Sequence, residues 1–108
     1  MPVRLGELEQ LVLLALLRLG HQAYGVTVQQ EIAARAGRDL SFATIYTTLG
    51  RLESKGLIAA RLGEATAERG GRRKTHYTVS RDGRAAVKDS LRALRTMTAG
   101  LGAAWELS

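Results

Sequence analysis

The hydrophobic pattern of the first forty residues predicts two helices. Residues 5–19 consist of good helix formers and are apolar on nearly every side between Leu11 and Leu17, so this helix must be covered on more than one side. It is either a central core helix alone or one that also packs against a second subunit. Residues 24–36 carry apolar side chains one turn apart and polar ones opposite, which predicts a short surface helix.

A second pattern, from Ser41 to Ala60, predicts the most informative helix of the chain. A helical projection places four apolar side chains on one stripe: Phe42, Ile45, Leu49 and Leu52. The other side is small, hydroxylated or basic, with Ala43, Thr44, Thr47, Gly50, Arg51 and Ser54. We expect Ser41 to cap the helix N-terminus and Gly56 to end it. One face is thus suited to burial and the other to close approach to a polar surface, as in a recognition helix.

A hairpin is predicted after this helix. Residues 57–62 read as one strand, and residues 75–79 alternate β-branched and aromatic residues with polar ones as a second strand. The segment 63–74 between them is rich in glycine and charge and has no apolar anchor. Two helices joined by a short turn, followed by a basic hairpin, form a winged helix-turn-helix.

The last part of the chain returns to a helical pattern. Ser80 is a plausible N-cap, and Asp82 suits the positive end of the helix dipole. A heptad seam follows, formed by Val87, Leu91, Leu94, Thr98, Leu101 and Trp105. Gly100 and Gly102 each weaken the helix by about 1 kcal/mol. Because a winged-helix head has no room for so long an apolar edge, we expect a helix of an identical subunit to bury it. The alternative is packing on its own domain.

The predicted architecture is therefore mainly α with a small β-hairpin, in a single domain of 108 residues. Residues 1–79 form a winged-helix DNA-binding head, and residues 80–108 form a long C-terminal dimerisation helix. Net charge is +6, and residues 1–40 contribute none of it, since four basic side chains balance four acidic ones. The excess includes a cluster without an acid, made of Arg69, Arg72, Arg73 and Lys74. Such a localised excess indicates a polyanionic partner, nucleic acid before anionic membrane.

Several kinds of chemistry are missing from the sequence. There is no cysteine, so disulfides and thiolate metal sites are excluded. His21 and His76 stand alone, without neighbours at metal-ligand spacing. No phosphate loop, nucleophile elbow or dinucleotide motif is present. The apolar run from Leu11 to Leu17 is far below the roughly 20 residues that span a bilayer, and the start lacks signal-peptide features. We expect a soluble, cytoplasmic protein that is not an enzyme and needs no cofactor or metal.

Several short motifs together resemble the PadR-like transcriptional regulators, in their short form with one C-terminal helix. The matching residues are Gly6, Leu8, Glu9, Tyr24, Gly25, Thr44, Tyr46, Leu49, Leu52, Glu53, Gly56, Leu57, Ile58, Tyr77, Thr78, Val79 and the run 80–83. The resemblance covers nearly the whole chain. It implies a homodimeric, usually repressive DNA-binding protein that dimerises through the last helix, aided by the first. The chain differs in having Phe42 where a proline often starts the recognition helix, and Gly70-Gly71 in the wing.

These observations predict a sequence-specific regulator that binds double-stranded DNA as a homodimer on a palindromic operator, as a repressor. One alternative is a ligand-responsive dimer whose small-molecule effector releases DNA, with Trp105 as an aromatic plate in a pocket between the last and first helices. Another is a winged helix used as a protein-interaction module, although this gives no reason for the basic wing.

The predicted DNA-contacting residues are Ser41, Ala43, Thr44, Tyr46, Thr47, Arg51, Arg72, Arg73 and Lys74. We expect Thr44 and Thr47 to meet base edges, because the N-terminal end of a recognition helix reaches them. Tyr46 is predicted to place its hydroxyl on a phosphate, with partial core packing as the alternative. Arg51 could reach either a guanine or a phosphate, and the wing residues are expected on the phosphate backbone.

Overall fold

A computed structural model describes residues 4–63 and 74–106 of the chain. These residues form a mainly helical fold with one antiparallel hairpin, as predicted. The elements are α1 (Glu7–Leu19), α2 (Gly25–Ala36), α3 (Phe42–Ser54), β1 (Ile58–Leu62), β2 (Thr75–Val79) and α4 (Arg81–Thr98). Single 3₁₀ turns cover Gly20–Gln22 and Gly102–Trp105. Within the described ranges, no helix combines the length and hydrophobicity needed to cross a membrane.

Local capping sets the starts of three helices. The carboxylate of Glu9 accepts a 2.8 Å hydrogen bond from the Gly6 amide, and α1 starts two residues later than expected. The Ser41 hydroxyl accepts from the Thr44 amide at 3.1 Å, which confirms it as the N-cap of α3. The Ser80 hydroxyl does the same for α4, accepting from the Gly83 amide at 3.0 Å. Hydroxyl caps are thus readable from sequence, because their partners lie within one turn.

The hydrophobic core lies where α1, α2 and α3 meet the hairpin. Three of the four predicted stripe residues of α3 (Ile45, Leu49 and Leu52) are essentially inaccessible to solvent. The remaining fully buried large side chains are Val12, Leu13, Val28 and Leu57. Thr48 is also buried, and its hydroxyl donates to the Thr44 carbonyl at 2.8 Å, so its polar atom is satisfied inside the core.

The prediction that the fourth stripe residue, Phe42, lies in the core is wrong. Its side chain is 45% exposed, and its ring lies beside that of Tyr46, with centroids 6.5 Å apart and planes tilted by 34°. The physical reason is position: Phe42 is the first residue of α3, beyond the turn at which Ile45 enters the core. A helical projection gives the direction of a side chain, but it does not show whether a neighbouring element extends far enough to cover it.

The hairpin is fixed to the start of α2 as well as to itself. Ile58 pairs with Val79 and Leu62 with Thr75 at its two ends. The β2 strand also forms a bridge between His76 and Tyr24. In addition, the Tyr77 amide donates to the Ala23 carbonyl at 2.9 Å. The wing base therefore has a defined position relative to the helix-turn-helix.

Gly83 allows α4 to approach the hairpin closely. A Cβ atom at this position would lie 2.1 Å from the Leu57 carbonyl oxygen and 2.8 Å from a methyl carbon of Val79. The Ser80 amide donates to the same Leu57 oxygen at 2.9 Å, which holds the α4 entry against β1. Glycine is needed here for space rather than for an unusual backbone angle.

The predicted seam is divided between two environments. Val87 is buried in the core of its own domain, and Leu91 packs against that core. Neither side chain is therefore free to contact a second subunit, as the predicted seam required. Every described residue from Arg92 onward is exposed. The continuous helix predicted over 80–108 is also wrong: α4 ends at Thr98, where Ala99 is extended and Gly100 adopts a positive φ of 76°.

The segment beyond Arg92 leaves several large apolar side chains uncovered in the single chain. Leu94 is 53% exposed, Met97 75% and Trp105 64%. Leu101 is 37% exposed and begins the turn that carries Trp105. The exposed apolar surface therefore lies on the last two turns of α4 and on the 3₁₀ turn that follows.

Candidate nucleic-acid interface

The outward face of α3 is narrow and made of small side chains. Ala43, Thr47, Gly50 and Ser54 are all exposed on it. A Cβ atom added at Gly50 would meet nothing within 4 Å, so the helix surface is open there. A flat, narrow surface of this kind lets a helix backbone approach another molecule closely. The DNA major groove, which is about 12 Å wide, admits an α-helix.

The two threonines predicted to read bases have different surroundings. Thr44 is half-buried, and its hydroxyl accepts a 3.0 Å hydrogen bond from the capping hydroxyl of Ser41. Thr47 is exposed, and no hydrogen bond engages its hydroxyl within residues 4–63 and 74–106. Thr47 is therefore the more available of the two for an outside partner, and Ser41 and Thr44 form a joined pair at the helix start.

Tyr46 lies across the N-terminus of α2. Its side chain is half exposed, and a Cβ atom on Gly25 would lie only 2.2 Å from its hydroxyl oxygen. Burial raises the pKa of the neighbouring Tyr77 hydroxyl, and the nearby Tyr46 and Glu53 raise it further. Tyr46 is thus partly packed on its own fold, as one of the two alternatives expected, and its contact with a phosphate stays a prediction.

Lys74 stands at the base of the wing. Its ammonium nitrogen is 4.4 Å from the centre of the Tyr24 ring and 3.4 Å from that tyrosine's hydroxyl oxygen. Such a cation–π contact holds the charge in place without neutralising it. Tyr24 also meets His76 edge to face, at 5.5 Å between centroids. The start of α2 therefore joins the wing base, through Tyr24, to α3, through the contact between Gly25 and Tyr46. Together these elements form one connected surface with an exposed positive charge at Lys74.

Arg51 lies near the other end of the recognition helix. It is exposed, and it is close enough to Glu9 to influence that carboxyl group. Burial alone would raise the pKa of Glu9, but hydrogen bonds from Lys55 and the Gly6 amide, with the charges of Lys55 and Arg51, lower it below its usual 4.5. Arg51 therefore lies far from the threonines at the start of α3. It is in the last turn of that helix, near Glu9 of α1.

Two predicted wing residues, Arg72 and Arg73, lie outside the described residues. The exposure of Phe42 was not expected from the sequence; the available signal was its place at the first residue of the predicted helix. The described residues include no group of three metal-ligating side chains. His76 Nδ1 is buried without a hydrogen-bond partner among them, and its ring is held by Tyr24.

A separate apolar groove lies between α1 and α2, away from this surface. It has a volume of about 520 Å³, and Leu11, Leu14, Leu17 and Ile32 line it. At its edge Glu31 pairs with Arg35 and, at 3.3 Å, with Arg18. The side of α1 that the sequence expected to be covered is therefore open in the single chain.

The geometry defines a winged helix-turn-helix DNA-binding protein. Residues 13–89 match the Transcriptional regulator PadR-like family, and the chain belongs to that family. Its members, and the solved structures similar to this chain, are transcription regulators rather than enzymes. The family resemblance inferred from the sequence motifs is thereby confirmed. No match was found among curated protein sequences.

Three solved structures illustrate the similarity. A PadR family transcription regulator from Clostridium difficile has a TM-score of 0.72 at 22% identity, with 89% of this chain and 95% of that chain covered. A PadR family regulator from Eggerthella lenta has a TM-score of 0.68 at 26% identity, covering 94% and 88%. BpsR of Bordetella bronchiseptica, whose DNA binding is regulated by 6-hydroxynicotinic acid, has a TM-score of 0.66 at 25% identity, covering 92% and 67%.

Proposed function

We propose that this DNA-binding transcription regulator acts as a cytoplasmic homodimeric repressor on a palindromic operator. The observation that carries the proposal is the connected surface formed by the small outward face of α3 and the wing base with Lys74. In the proposed complex α3 lies in the major groove, and Thr47, Ala43 and the Ser41–Thr44 pair meet base edges. Tyr46, Lys74 and the basic wing residues Arg72 and Arg73 contact phosphates, which fix the register.

A homodimer is supported by two uncovered apolar surfaces on the same chain. One is the end of α4 with Leu94, Met97 and the following Trp105, and the other is the open side of α1. A single chain exposes both, although burying such side chains is favourable by about 1.5 to 3 kcal/mol each. A second copy of the chain can cover both surfaces at once, since a two-fold axis makes every contact twice. Two recognition helices then face half-sites about 34 Å apart.

Control by a small molecule is a second candidate function. BpsR, which shares the fold, responds to 6-hydroxynicotinic acid. In this chain Trp105 is exposed beyond α4, and a shallow depression of about 370 Å³ lies between α4 and the start of α1, lined by Leu5, Gln10 and Leu94 among others. A flat aromatic ligand bound between two copies at this place would alter the spacing of the recognition helices and release DNA.

Binding to double-stranded DNA tests the proposal. The protein is titrated with random-sequence duplexes, and the bound fraction is amplified and sequenced over several rounds. We expect an inverted repeat with half-sites one helical turn apart and two chains per duplex. The affinity should fall with salt, with a slope of about −0.9 in log K against log salt for each phosphate contact. Selection of no common sequence, or binding of one chain per duplex, would contradict it.

A further inference from the structure

We infer that Phe42 is a specificity-determining residue that reads a thymine methyl group in the major groove; this rests on the proposed function. The chain has a single phenylalanine, and that residue is 45% exposed at the first position of the recognition helix. The core does not need it, because Ile45 and Leu49 fill the α3 side of the core and are essentially inaccessible. The exposed ring is therefore available to an outside partner.

Helix geometry directs this ring toward the bases. The Cα–Cβ bonds of a helix tilt toward its N-terminus, so a long side chain on the first residue extends beyond the end of the helix. A recognition helix meets base edges with its N-terminal residues. Phe42 precedes Ala43 and Thr47 along α3, and its ring lies on the side of the helix that carries Tyr46. Its ring consequently reaches the groove ahead of the small residues of the outward face.

Tyr46 restricts the position of the Phe42 ring. The two ring centroids are 6.5 Å apart, within the range of favourable aromatic pairs, and the planes are tilted by 34°. Tyr46 itself lies on Gly25, whose missing Cβ leaves room for the tyrosine hydroxyl. A ring supported in this way loses little conformational freedom on binding, which favours discrimination between similar partners.

The chemistry of the ring selects its partner on the base edge. Phenylalanine neither donates nor accepts hydrogen bonds, and the C5 methyl of thymine is the apolar group that base pairs present in the major groove. Against the exocyclic amine of cytosine or adenine, or the oxygen of guanine, the ring would remove water without replacing its hydrogen bonds. The pair Phe42–thymine is therefore favoured over the other three bases at one position of each half-site.

Replacing thymine by deoxyuridine tests this contact, because the change removes only the methyl group. Each thymine of the selected operator is replaced in turn, symmetrically in both half-sites. One position should weaken wild-type binding about fourfold per half-site, and roughly fifteenfold for both, as expected for one lost apolar carbon. With Phe42→Ala that position should bind thymine and deoxyuridine equally, while every other thymine keeps its wild-type effect. Phe42→Leu, which stays apolar, should give an intermediate ratio.

Two further arms complete the experiment. Tyr46→Phe keeps the ring pair and should keep the thymine-to-deoxyuridine ratio, although overall affinity falls. At the same position, 5-methylcytosine should bind wild type about fourfold better per half-site than cytosine. Phe42→Ala with wild-type ratios at every thymine would overturn the inference while leaving the proposed function intact. A wild-type protein that selects no operator would overturn both.

Discussion

The ammonium group of Lys55 lies 2.6 Å from a carboxylate oxygen of Glu9, and this contact joins the C-terminal cap of the recognition helix to the first turn of α1. The other carboxylate oxygen accepts from the Gly6 amide, and Lys55 also donates to the Arg4 carbonyl at 3.3 Å. Glu9 is buried although it is charged. The end of α3 far from the capped threonines is thus anchored by a hydrogen-bonded ion pair.

Glu9→Gln should lower the free energy of unfolding by about 1.5 to 3 kcal/mol at pH 7, the range for hydrogen bonds to charged groups. Because the folded-state pKa of Glu9 is lowered, its contribution is complete above its usual value of 4.5 and is lost as pH falls through the folded pKa. The difference between variant and wild type should therefore shrink below about pH 4.5, measured by urea unfolding from pH 7 to 3. Glu7→Gln, at an exposed ion pair with Arg38, is the control and should cost less than about 1 kcal/mol.

Gly83→Ala should destabilise the fold by about 3 kcal/mol, since the new methyl group would collide with the Leu57 carbonyl. Gly50→Ala makes the same chemical change on a helix surface with open space. It should stabilise the protein by about 0.5 to 1 kcal/mol. Urea unfolding of both variants measures the opposite signs. Equal effects would mean that α4 does not approach β1 as closely as described.

Thr47→Ala should change the preferred operator sequence, because Thr47 is exposed at the outward face of α3. Tyr46→Phe should instead lower affinity for all sequences, by the 0.5 to 1.5 kcal/mol of one net hydrogen bond. Thr44→Ala should have a smaller effect on preference than Thr47→Ala, since Ser41 already engages the Thr44 hydroxyl. Binding-site selection on all three variants gives the answer. Identical preferred sites for wild type and both threonine variants would place the reading face elsewhere on the helix.

Lys74→Gln should weaken binding to operator and random DNA by the same factor. If Lys74 meets one phosphate in each half-site, the slope of log K against log salt should become less steep by about 0.9 per half-site. We expect this phosphate contact because the Lys74 ammonium group lies over the Tyr24 ring at the base of the wing. Fluorescence anisotropy at four salt concentrations measures the slope. Lys88→Gln, an exposed charge on α4, is the matched control and should leave the slope unchanged.

Leu94→Glu should convert the proposed dimer to a monomer and remove most operator affinity. Leu94 is 53% exposed in the single chain, so the variant keeps its fold, whereas Leu91 contacts the domain core and would confuse the result. Thr96→Glu adds the same charge on another face of α4 and serves as control. Light scattering at tens of micromolar reports the mass of each. A wild-type monomer under these conditions would contradict the dimer.

The elements that could be predicted from sequence are those decided by near neighbours. Ser41 and Ser80 cap helices with partners three residues away, and β2 begins and ends at the residues expected from its alternation. The apolar stripe of α3 was correct at Ile45, Leu49 and Leu52. In each case the deciding contact lies within a turn or repeats with the period of the element.

Two errors arose where the deciding contact is distant. Phe42 has the same apolar character as Ile45, but within residues 4–63 and 74–106 no element covers it, and it is 45% exposed. Val87 fits a heptad pattern, yet the close approach at Gly83 brings the start of α4 onto the core and buries it there. The periodicity of a segment identifies its apolar face. Which neighbour covers that face depends on three-dimensional packing that the pattern does not contain.

The hydrogen bond from the Gly63 amide to the Lys74 carbonyl, at 2.7 Å, closes the hairpin before the segment 64–73 begins. Both ends of that segment are therefore fixed by β1, β2 and the bridge to Tyr24, whatever lies between them. In general, doubling the length of a loop whose ends are held together costs only about 0.6 kcal/mol. If the proposed function is correct, changes in the length or charge of residues 64–73 should therefore alter general DNA affinity without moving α3.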